Sequence, residues 1–357
     1  MEVFFVLLLF PIMLQHVAIK GHYIDYQKRN KAALAFFFLL LTILVMFRHE
    51  CVGNDTRNYI HIYERYSRKE WSRLAAVGLE IGYAYINKIV SLFFHNPHVF
   101  LALTAATVSA MIYPTYKRLC VDTSLTIVLF CIMSTFVMMF SGIRQMMAVG
   151  VGFISYELTR QKKLFLFVLT VLLAISVHAS AFMLAFMYPL YHAKITKKWL
   201  YAVVPVLAVV FVFNRQVFST LVAIMVRFSV YSGSVSSTGA YTMLLLFAAF
   251  AVFAFLIPDE SKMNEETIGL RNFLLFALVI QMFAPLHVLA MRMNYYYIIF
   301  IPLLLPKIIQ YRSKRWNQVA VLGRHVMVVF FLVYFFANAY RDGGLNVFPY
   351  HFFWESV

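Results

Sequence analysis

Long apolar runs separated by short basic clusters extend over almost the whole chain. Most runs have roughly 14 to 20 residues, close to the length that a helix needs to cross a bilayer. The pattern therefore predicts an all-α, polytopic integral membrane protein. The predicted spans are 3–19, 32–47, 97–116, 123–141, 144–159, 163–177, 180–193, 199–214, 240–257, 271–289, 294–309 and 325–340. The first run lacks a basic leading segment and a small-residue cleavage site, so we expect a span there and not a signal peptide.

The segment 74–94, LAAVGLEIGYAYINKIVSLFF, is ambiguous because Glu80 and Lys88 interrupt its apolar pattern. It could be a span, a re-entrant segment or a helix in the membrane interface. If it does not cross, one side of the membrane carries 12 lysines and 7 arginines, and the other side carries 2 lysines and 10 arginines. These numbers account for all 31 lysines and arginines of the chain. The positive-inside rule then makes the lysine-rich side cytoplasmic. We therefore predict about 12 spans plus one re-entrant or interfacial helix, within a single domain over 1–357.

Composition supports the membrane assignment and limits the chemistry. Of the 357 residues, 62% are hydrophobic and 13% charged, with a mean hydropathy of +0.78, whereas soluble domains have about a quarter charged residues. The three cysteines, Cys51, Cys120 and Cys131, show neither metal-ligand spacing nor a disulfide framework. No Gly-rich phosphate loop occurs in the sequence. We expect no cofactor, no metal and no nucleic-acid partner.

A charged stretch, RHECVGNDTRNY, begins at Arg48 where an apolar run stops. Charge at the mouth of a span indicates function more often than charge in a soluble protein does. Arg48, Asp55, Arg57 and Tyr59 could converge around the Gly53–Asn54 turn, although an ordinary polar loop would look the same. With 74–94 not crossing, the substrate loop and helix 48–94 would lie on the outer face, together with a loop at 215–239.

Two further charged positions lie on the predicted outer side. Glu80 is a lone acid between Gly78 and Gly82, and it needs a partner or a proton if buried. A purely structural ion pair with an arginine is the alternative. Arg144, in the SGIRQ run that opens a predicted helix, could bind an anion together with the helix N-terminus, or could be a simple interfacial arginine.

The remaining candidates are a histidine and an arginine with neighbouring tyrosines. His178 separates two apolar runs and could be a general base, since imidazoles exchange protons near neutral pH, or a structural histidine. Arg292 precedes Tyr295 and Tyr296 by about one helical turn, which suits binding of a sugar or a tyrosine belt at the headgroups. The segment 227–239 could be a lid or a linker. The aromatic tail could fold back against the outer face.

These residues, in this order, resemble the EpsG-type branch of bacterial polysaccharide polymerases, which is related to the Wzy polymerases of O-antigen and capsule. The resemblance covers the chain from about residue 20 to the tail, except that 199–260 matches only as apolar sequence. The matching motifs are R-x4-G-x-D-T-x2-Y from Arg48 to Tyr59, E-x-G-Y at Glu80, S-G-x-R-Q from Ser141 to Gln145, the turn Lys162–Lys163, H-x-S-A from His178 to Ala181, and R-x3-Y from Arg292 to Tyr296.

The resemblance implies a GT-C-like membrane glycosyltransferase in the bacterial inner (cytoplasmic) membrane, with its active site facing the periplasm or outside. Such enzymes join oligosaccharide repeat units carried on undecaprenyl diphosphate into a surface polysaccharide, without metal or nucleotide sugar. The implied partners are the lipid-linked oligosaccharide and membrane lipids, with a chain-length regulator and a flippase as further candidates. An O-antigen ligase-like transferase and a flippase or transporter of lipid-linked sugars are the alternative functions.

On this basis each candidate residue receives an expected role. The predicted substrate-binding residues are Arg48, Arg144, Gln145, Arg292, Tyr59 and Tyr296. The predicted catalytic residues are His178, Asp55 and Glu80. Of these three, His178 is the preferred general base, because its chemistry needs the least adjustment.

Overall fold

The computed structural model describes residues 2–16, 26–224, 241–342 and 345–357, and over these ranges the chain is helical. The described residues form two isolated β-bridges and no strand. This confirms the predicted all-α class. The chain divides into two compact units, Met1–Ala185 with Val321–Val357, and Phe186–Ala320.

The first unit contains the N-terminal helices and most of the last one. Its elements are α1 (Glu2–His16), α2 (Tyr26–Met46), α3 (Thr56–Ser67), a 3₁₀ helix (Trp71–Val77), α4 (Ile81–Ser91), α5 (Pro97–Leu119), α6 (Thr123–Ile132), α7 (Ser134–Ser141), α8 (Ile143–Arg160), α9 (Leu164–Val177) and a 3₁₀ helix that begins at Ala179. Polar residues fix several helix starts. Asn96 accepts a hydrogen bond from the His98 amide ahead of Pro97, and Asp122 accepts one from the Leu125 amide.

The second unit is built around one central helix. Its elements are α10 (Met187–His192), α11 (Lys197–Val212), α12 (Asn214–Ile224), α13 (Tyr241–Leu256), a 3₁₀ helix (Glu260–Lys262), α14 (Glu265–Gln281), α15 (Val288–Ile298), α16 (Ile301–Gln310) and a 3₁₀ helix (Lys314–Trp316), after which α17 (Asn317–Asp342) returns to the first unit. The helix α14 packs against α10, α13, α15 and α16. Its buried Arg271 binds Glu260 at 2.6 Å and the Ile195 carbonyl at 3.1 Å.

The first part of the segment 215–239, expected as an outer loop, is helical, since α12 covers Asn214–Ile224; its placement on the outer face stays a prediction. An apolar face explains the helix, since Phe218 packs against Leu286 and Ala290. The remainder of that loop, including the candidate lid 227–239, lies outside the described residues.

Several helices have the length and composition of membrane spans. Among the described residues three qualify on their own: α2, α5 and the segment Lys314–Ala339. Three bent pairs would qualify as single broken spans: α6 with α7, α15 with α16, and Lys198–Val212 with Asn214–Thr220. Three shorter apolar helices, α1, α9 and α13, add to these. The apolar helices agree with a membrane protein, while the number of about 12 spans stays a prediction.

The segment between α2 and α5 leaves and returns at the same end of the first unit. The helices α2 and α5 contact each other along their length. Near the start of α2, Asn30 contacts the Cys120 carbonyl just after α5 at 3.5 Å, and about three turns later Thr42 binds Ser109 at 2.7 Å. The two helices are therefore antiparallel, so α3 and α4 lie between neighbouring ends. With 11 residues, α4 is about 16 Å long and too short to cross a bilayer. This arrangement agrees with the non-crossing topology, which stays a prediction.

The aromatic tail folds back onto the stretch that follows α2, as expected from its composition. Backbone hydrogen bonds join His49 to His351, Gly53 to Asn346, and Phe353 to Phe47, at 2.8 to 2.9 Å. The Phe4 ring lies in the aromatic cluster beneath, 4.6 Å from the ring of Phe348. Gly53 has a φ of +85°, and a Cβ there would lie 2.5 Å from the Phe140 carbonyl oxygen. Only glycine fits this turn.

Candidate functional site

Glu80 lies at the centre of a polar cluster inside the first unit. It directly precedes α4, and its side chain is 9% exposed. Its Oε2 accepts a hydrogen bond from Arg144 Nη1 at 2.6 Å, and its Oε1 accepts one from the Ala179 amide at 3.0 Å. His178 Nδ1 lies 3.4 Å from the same Oε1, a distance that allows ion pairing without full hydrogen-bond alignment. Three candidates from distant parts of the sequence thus meet at one carboxylate.

Gly82 makes this meeting possible, because α4 approaches the end of α9 very closely. A Cβ at Gly82 would lie 2.3 Å from Ser176 Oγ and 2.7 Å from the Ser176 carbonyl oxygen. Any larger side chain would push α4 away from the turn that carries His178 and Ala179. The glycine of the E-x-G-Y motif therefore brings Glu80 within reach of its partners.

The surroundings of Glu80 hold it in the ionised state. Burial on its own would raise the pKa of the Glu80 carboxyl. The His178 imidazole, the Ala179 amide and the positive charge of Arg144 outweigh burial and lower the pKa to about 2. At neutral pH Glu80 is therefore an anion that orients its neighbours. It is ill suited to accept a proton from a substrate, because a base with so low a pKa gives little driving force.

Arg144 lies in the first turn of α8 among three tyrosines. Its guanidinium centre is 5.8 Å from the centroid of the Tyr83 ring. The Tyr59 hydroxyl hydrogen-bonds to Arg144; burial raises the pKa of Tyr59, and Arg144 opposes that rise. The Arg144 side chain is 23% exposed, and its buried Nε has no hydrogen-bond partner in the described part of the chain. The guanidinium has five N–H donors, and its partial exposure leaves part of it within reach of a further acceptor.

His178 lies between α9 and the following 3₁₀ helix, with its side chain 17% exposed. The carboxylate of Glu80 faces its Nδ1. When Nδ1 carries the ring proton, Nε2 is the nitrogen that can accept another. Gln145, the next residue after Arg144, donates to Ser180 Oγ at 3.5 Å and so links α8 to the same 3₁₀ helix. These contacts fix the segment that presents His178.

Arg48 and Asp55 lie beside this cluster and not at its centre. Arg48 is 1% exposed; it donates to the Val45 carbonyl and, at 3.3 Å, to Thr56 Oγ1. Asp55 is at the N-terminus of α3, where its amide donates to Ser141 Oγ at 3.4 Å. The burial of Arg48 indicates that it anchors the turn between α2 and α3. Its role in substrate binding, and that of Asp55, stay predictions.

Arg292 and Tyr296 belong to the second unit. Arg292 is exposed on α15, whereas Tyr295 and Tyr296 are each 1% exposed. Tyr296 is therefore not displayed beside Arg292 on a common surface. Its burial favours a packing role, and Arg292 is the residue of this motif that a ligand can reach.

Two contributors to the cluster were not among the sequence candidates. The Ala179 amide binds Glu80 as the first N–H of a helix, a donor that sequence alone does not mark. Tyr66 is fully buried on α3, and its hydroxyl has no hydrogen-bond partner in the described residues. Burial raises the pKa of Tyr66, while the charge of Arg144 lowers it. The spacing of Tyr59, Tyr63 and Tyr66, which puts them on one helix face, was the available signal.

The chain matches one family model over residues 31–352, and that model describes the EpsG family. No curated protein and no solved structure matches it significantly. The matched range contains every residue of the polar cluster around Glu80. It also extends from α2 to the tail that packs on the Arg48 stretch, so the match covers most of the chain. The chain belongs to the EpsG family.

Proposed function

We propose that the chain is a membrane glycosyltransferase that polymerises undecaprenyl-diphosphate-linked oligosaccharide repeat units into a surface polysaccharide. The EpsG family implies a polysaccharide polymerase-like function. The observation that supports the proposal best is the convergence of Glu80, Arg144 and His178. A fixed anion, a partly exposed guanidinium and an oriented imidazole suit a glycosyl transfer that needs a base and a site for a departing diphosphate.

In the proposed step, a hydroxyl of the acceptor repeat unit attacks the anomeric carbon of the donor sugar. A new C–O bond forms, and the bond between that carbon and the diphosphate oxygen breaks. The electron pair leaves with undecaprenyl diphosphate, and the hydroxyl proton passes to Nε2 of His178. Glu80 keeps the ring proton on Nδ1, so it orients the base and stabilises the imidazolium that forms. Glu80 thus acts through His178. Asp55 is proposed to position the acceptor sugar.

Arg144 stabilises the charge that builds on the leaving diphosphate. Its contact with Glu80 uses one of five N–H donors, and the side chain is 23% exposed, so part of the guanidinium can meet a ligand. A guanidinium offers paired donors to phosphate oxygens and stays charged when partly buried. Arg292 is proposed as a second diphosphate contact, on the exposed side of α15. We place the reaction at the outer face of the inner membrane, in line with the arginine-rich side of the charge distribution.

The test is purified protein supplied with a synthetic undecaprenyl-diphosphate repeat unit. A ladder of lengthened saccharides with released carrier supports polymerisation. Movement of the lipid across vesicles without a ladder would instead show a flippase, and transfer onto a different acceptor would show a ligase. Arg144→Lys keeps the charge but loses the forked donor geometry, so the ladder rate should fall about 100-fold or more while the protein stays folded. If this variant produced the ladder at the wild-type rate, the proposed paired contact of Arg144 with the diphosphate would be refuted.

A further inference from the structure

A charged groove lies in the first unit along the outer surface of α3 and the start of the following 3₁₀ helix. His61, Glu64, Arg65 and Arg68 follow one another at the spacing of a single helix face, opposite the buried Tyr59, Tyr63 and Tyr66. Together with Lys69, Glu70 and Arg73 they line a space of about 520 Å³. That volume is in the range of ligand sites.

Among the described residues, three cations in this groove have no carboxylate partner. Glu64 lies 3.8 Å from His61, and Glu70 lies 3.4 Å from Arg73, so both acids already face another residue. Arg65, Arg68 and Lys69 have no ion pair within the described ranges of the chain. A concave surface with three such cations attracts anions, because the like charges repel one another until a counter-charge arrives.

Residues beside the groove, together with its two acids, indicate a sugar chain as the source of the anion. Trp71 directly follows Glu70; it is 45% exposed, and its ring lies 5.9 Å from that of Tyr85, which is 41% exposed. Exposed aromatic rings stack on the apolar faces of sugars. Glu64 and Glu70 add carboxylate oxygens that can accept hydrogen bonds from the hydroxyl groups of a sugar. The phosphate group of a phospholipid has no such hydroxyl groups to donate.

We propose that this groove binds an acidic saccharide, one with carboxylate or phosphate groups, and guides the growing chain away from the reaction centre. The inference rests on the proposed polymerase function for the identity of the chain. Tyr59 lies on α3 and Arg68 caps the C-terminus of that helix nine residues later, which is about 14 Å along its axis. The groove is thus close enough to the polar cluster around Glu80 to hold repeat units that have already been added to the saccharide.

The full-length protein, reconstituted in phosphatidylcholine nanodiscs, is titrated with an oligogalacturonate of defined length and with a neutral maltooligosaccharide of equal length. The wild type should bind the acidic probe more tightly, and the difference should shrink with added salt. The variant R65Q/R68Q/K69Q should lose about tenfold or more in affinity for the acidic probe. The control R160Q/K162Q/K163Q removes the same charge at the α8–α9 turn and should bind as the wild type does.

Equal binding of the acidic probe by the groove variant and the wild type would overturn the proposal. If that variant also loses adsorption to phosphatidylglycerol vesicles, the cations are assigned to lipid headgroups. All three changes are at the protein surface, and unchanged thermal unfolding confirms an intact fold. Probe binding is measured without turnover, so the two proposals can fail separately. If the groove does not bind the acidic probe, the polymerase proposal is unaffected. If the probe binds but the ladder assay gives no product, only the polymerase proposal is refuted.

Discussion

Glu80 shows how one residue can change its assignment when its partners are known. The sequence marked it as an isolated acid and left a base and an ion pair as equal alternatives. The structure surrounds it with Arg144, the Ala179 amide and His178. Because an isolated buried carboxylate is costly, these partners are what allow the charge to exist there. The orienting role follows from that geometry.

Glu80→Gln should therefore lower polymerisation by about 100-fold or more without preventing folding. The amide cannot stabilise an imidazolium at His178, and it also releases Arg144 from its fixed position. The rate of ladder formation measures the effect. Glu157→Gln is the matched control, since Glu157 also pairs with arginines, Arg118 and Arg160, at the other end of the unit. If both variants lost the same fraction of the rate of ladder formation, the contacts of Glu80 would have only a general stabilising role.

The lowered pKa of Glu80 also predicts how stability changes with pH. The folded pKa, about 2, is below the ordinary carboxyl value of 4.5. The ion pair therefore stabilises the fold fully above about pH 4.5, and this contribution is lost as the pH falls towards 2. The unfolding temperature of the wild type should exceed that of Glu80→Gln at pH 7, and the gap should narrow between pH 4.5 and 3. A gap that is constant over this range would mean that the carboxylate is not specifically stabilised.

The sequence pattern could identify individual candidate residues, but it could not show which of them touch or which are buried. Glu80, Arg144 and His178 stood out because charge is rare in an apolar chain, and the structure brings them together. Which atoms would meet could not be predicted, because they are 64 and 98 residues apart from Glu80 and the contact depends on helix packing. The burial of Tyr296 was missed for the same reason, since spacing places a side chain on a helix face without saying what covers that face.

At the scale of elements, the approach of α4 to α9 decides whether the polar cluster forms. Gly82→Ala places a Cβ 2.3 Å from Ser176 Oγ and 2.7 Å from a backbone oxygen that cannot easily move. We expect a loss of about 1–3 kcal/mol in stability, together with a larger loss of polymerisation than stability alone explains. Thermal unfolding and the ladder assay on the same preparation measure the two effects.

Gly150 provides the comparison for that substitution. A Cβ at Gly150 would lie 3.2 Å from Met111 Sδ, on a flexible side chain that can give way. Gly150→Ala also improves the helix propensity of α8. It should therefore be close to neutral in both assays. If Gly82→Ala proved equally neutral, the close packing of α4 on α9 would not be what positions Glu80.

At the scale of the whole molecule, the contacts of the first unit group the charged segments into two ends. One end joins the Arg48 stretch, Glu80, Arg144 and His178 with the C-terminal tail. The other joins Asp122 to Arg324 at 2.7 Å, Arg118 to Glu157 at 3.2 Å, and Asn30 to the Thr123 amide. The distribution of lysine and arginine had placed the same segments together. Helix count and lengths were harder to predict, because bends such as the one of 66° between α6 and α7 leave no clear composition signal.

These two ends should face opposite sides of the membrane, and cysteine labelling of intact cells tests this. In a background with the three native cysteines replaced, Lys88→Cys should react with a membrane-impermeant maleimide. Lys117→Cys and Lys162→Cys should react only after the membrane is permeabilised. The reason is that 47–96 returns to the end where it began, while α5 carries the chain to the other end before Lys117. Labelling of positions 88 and 117 from the same side would show that 74–94 crosses. A reversed pattern would place the Glu80 cluster inside the cell, where the outer-face reaction cannot occur.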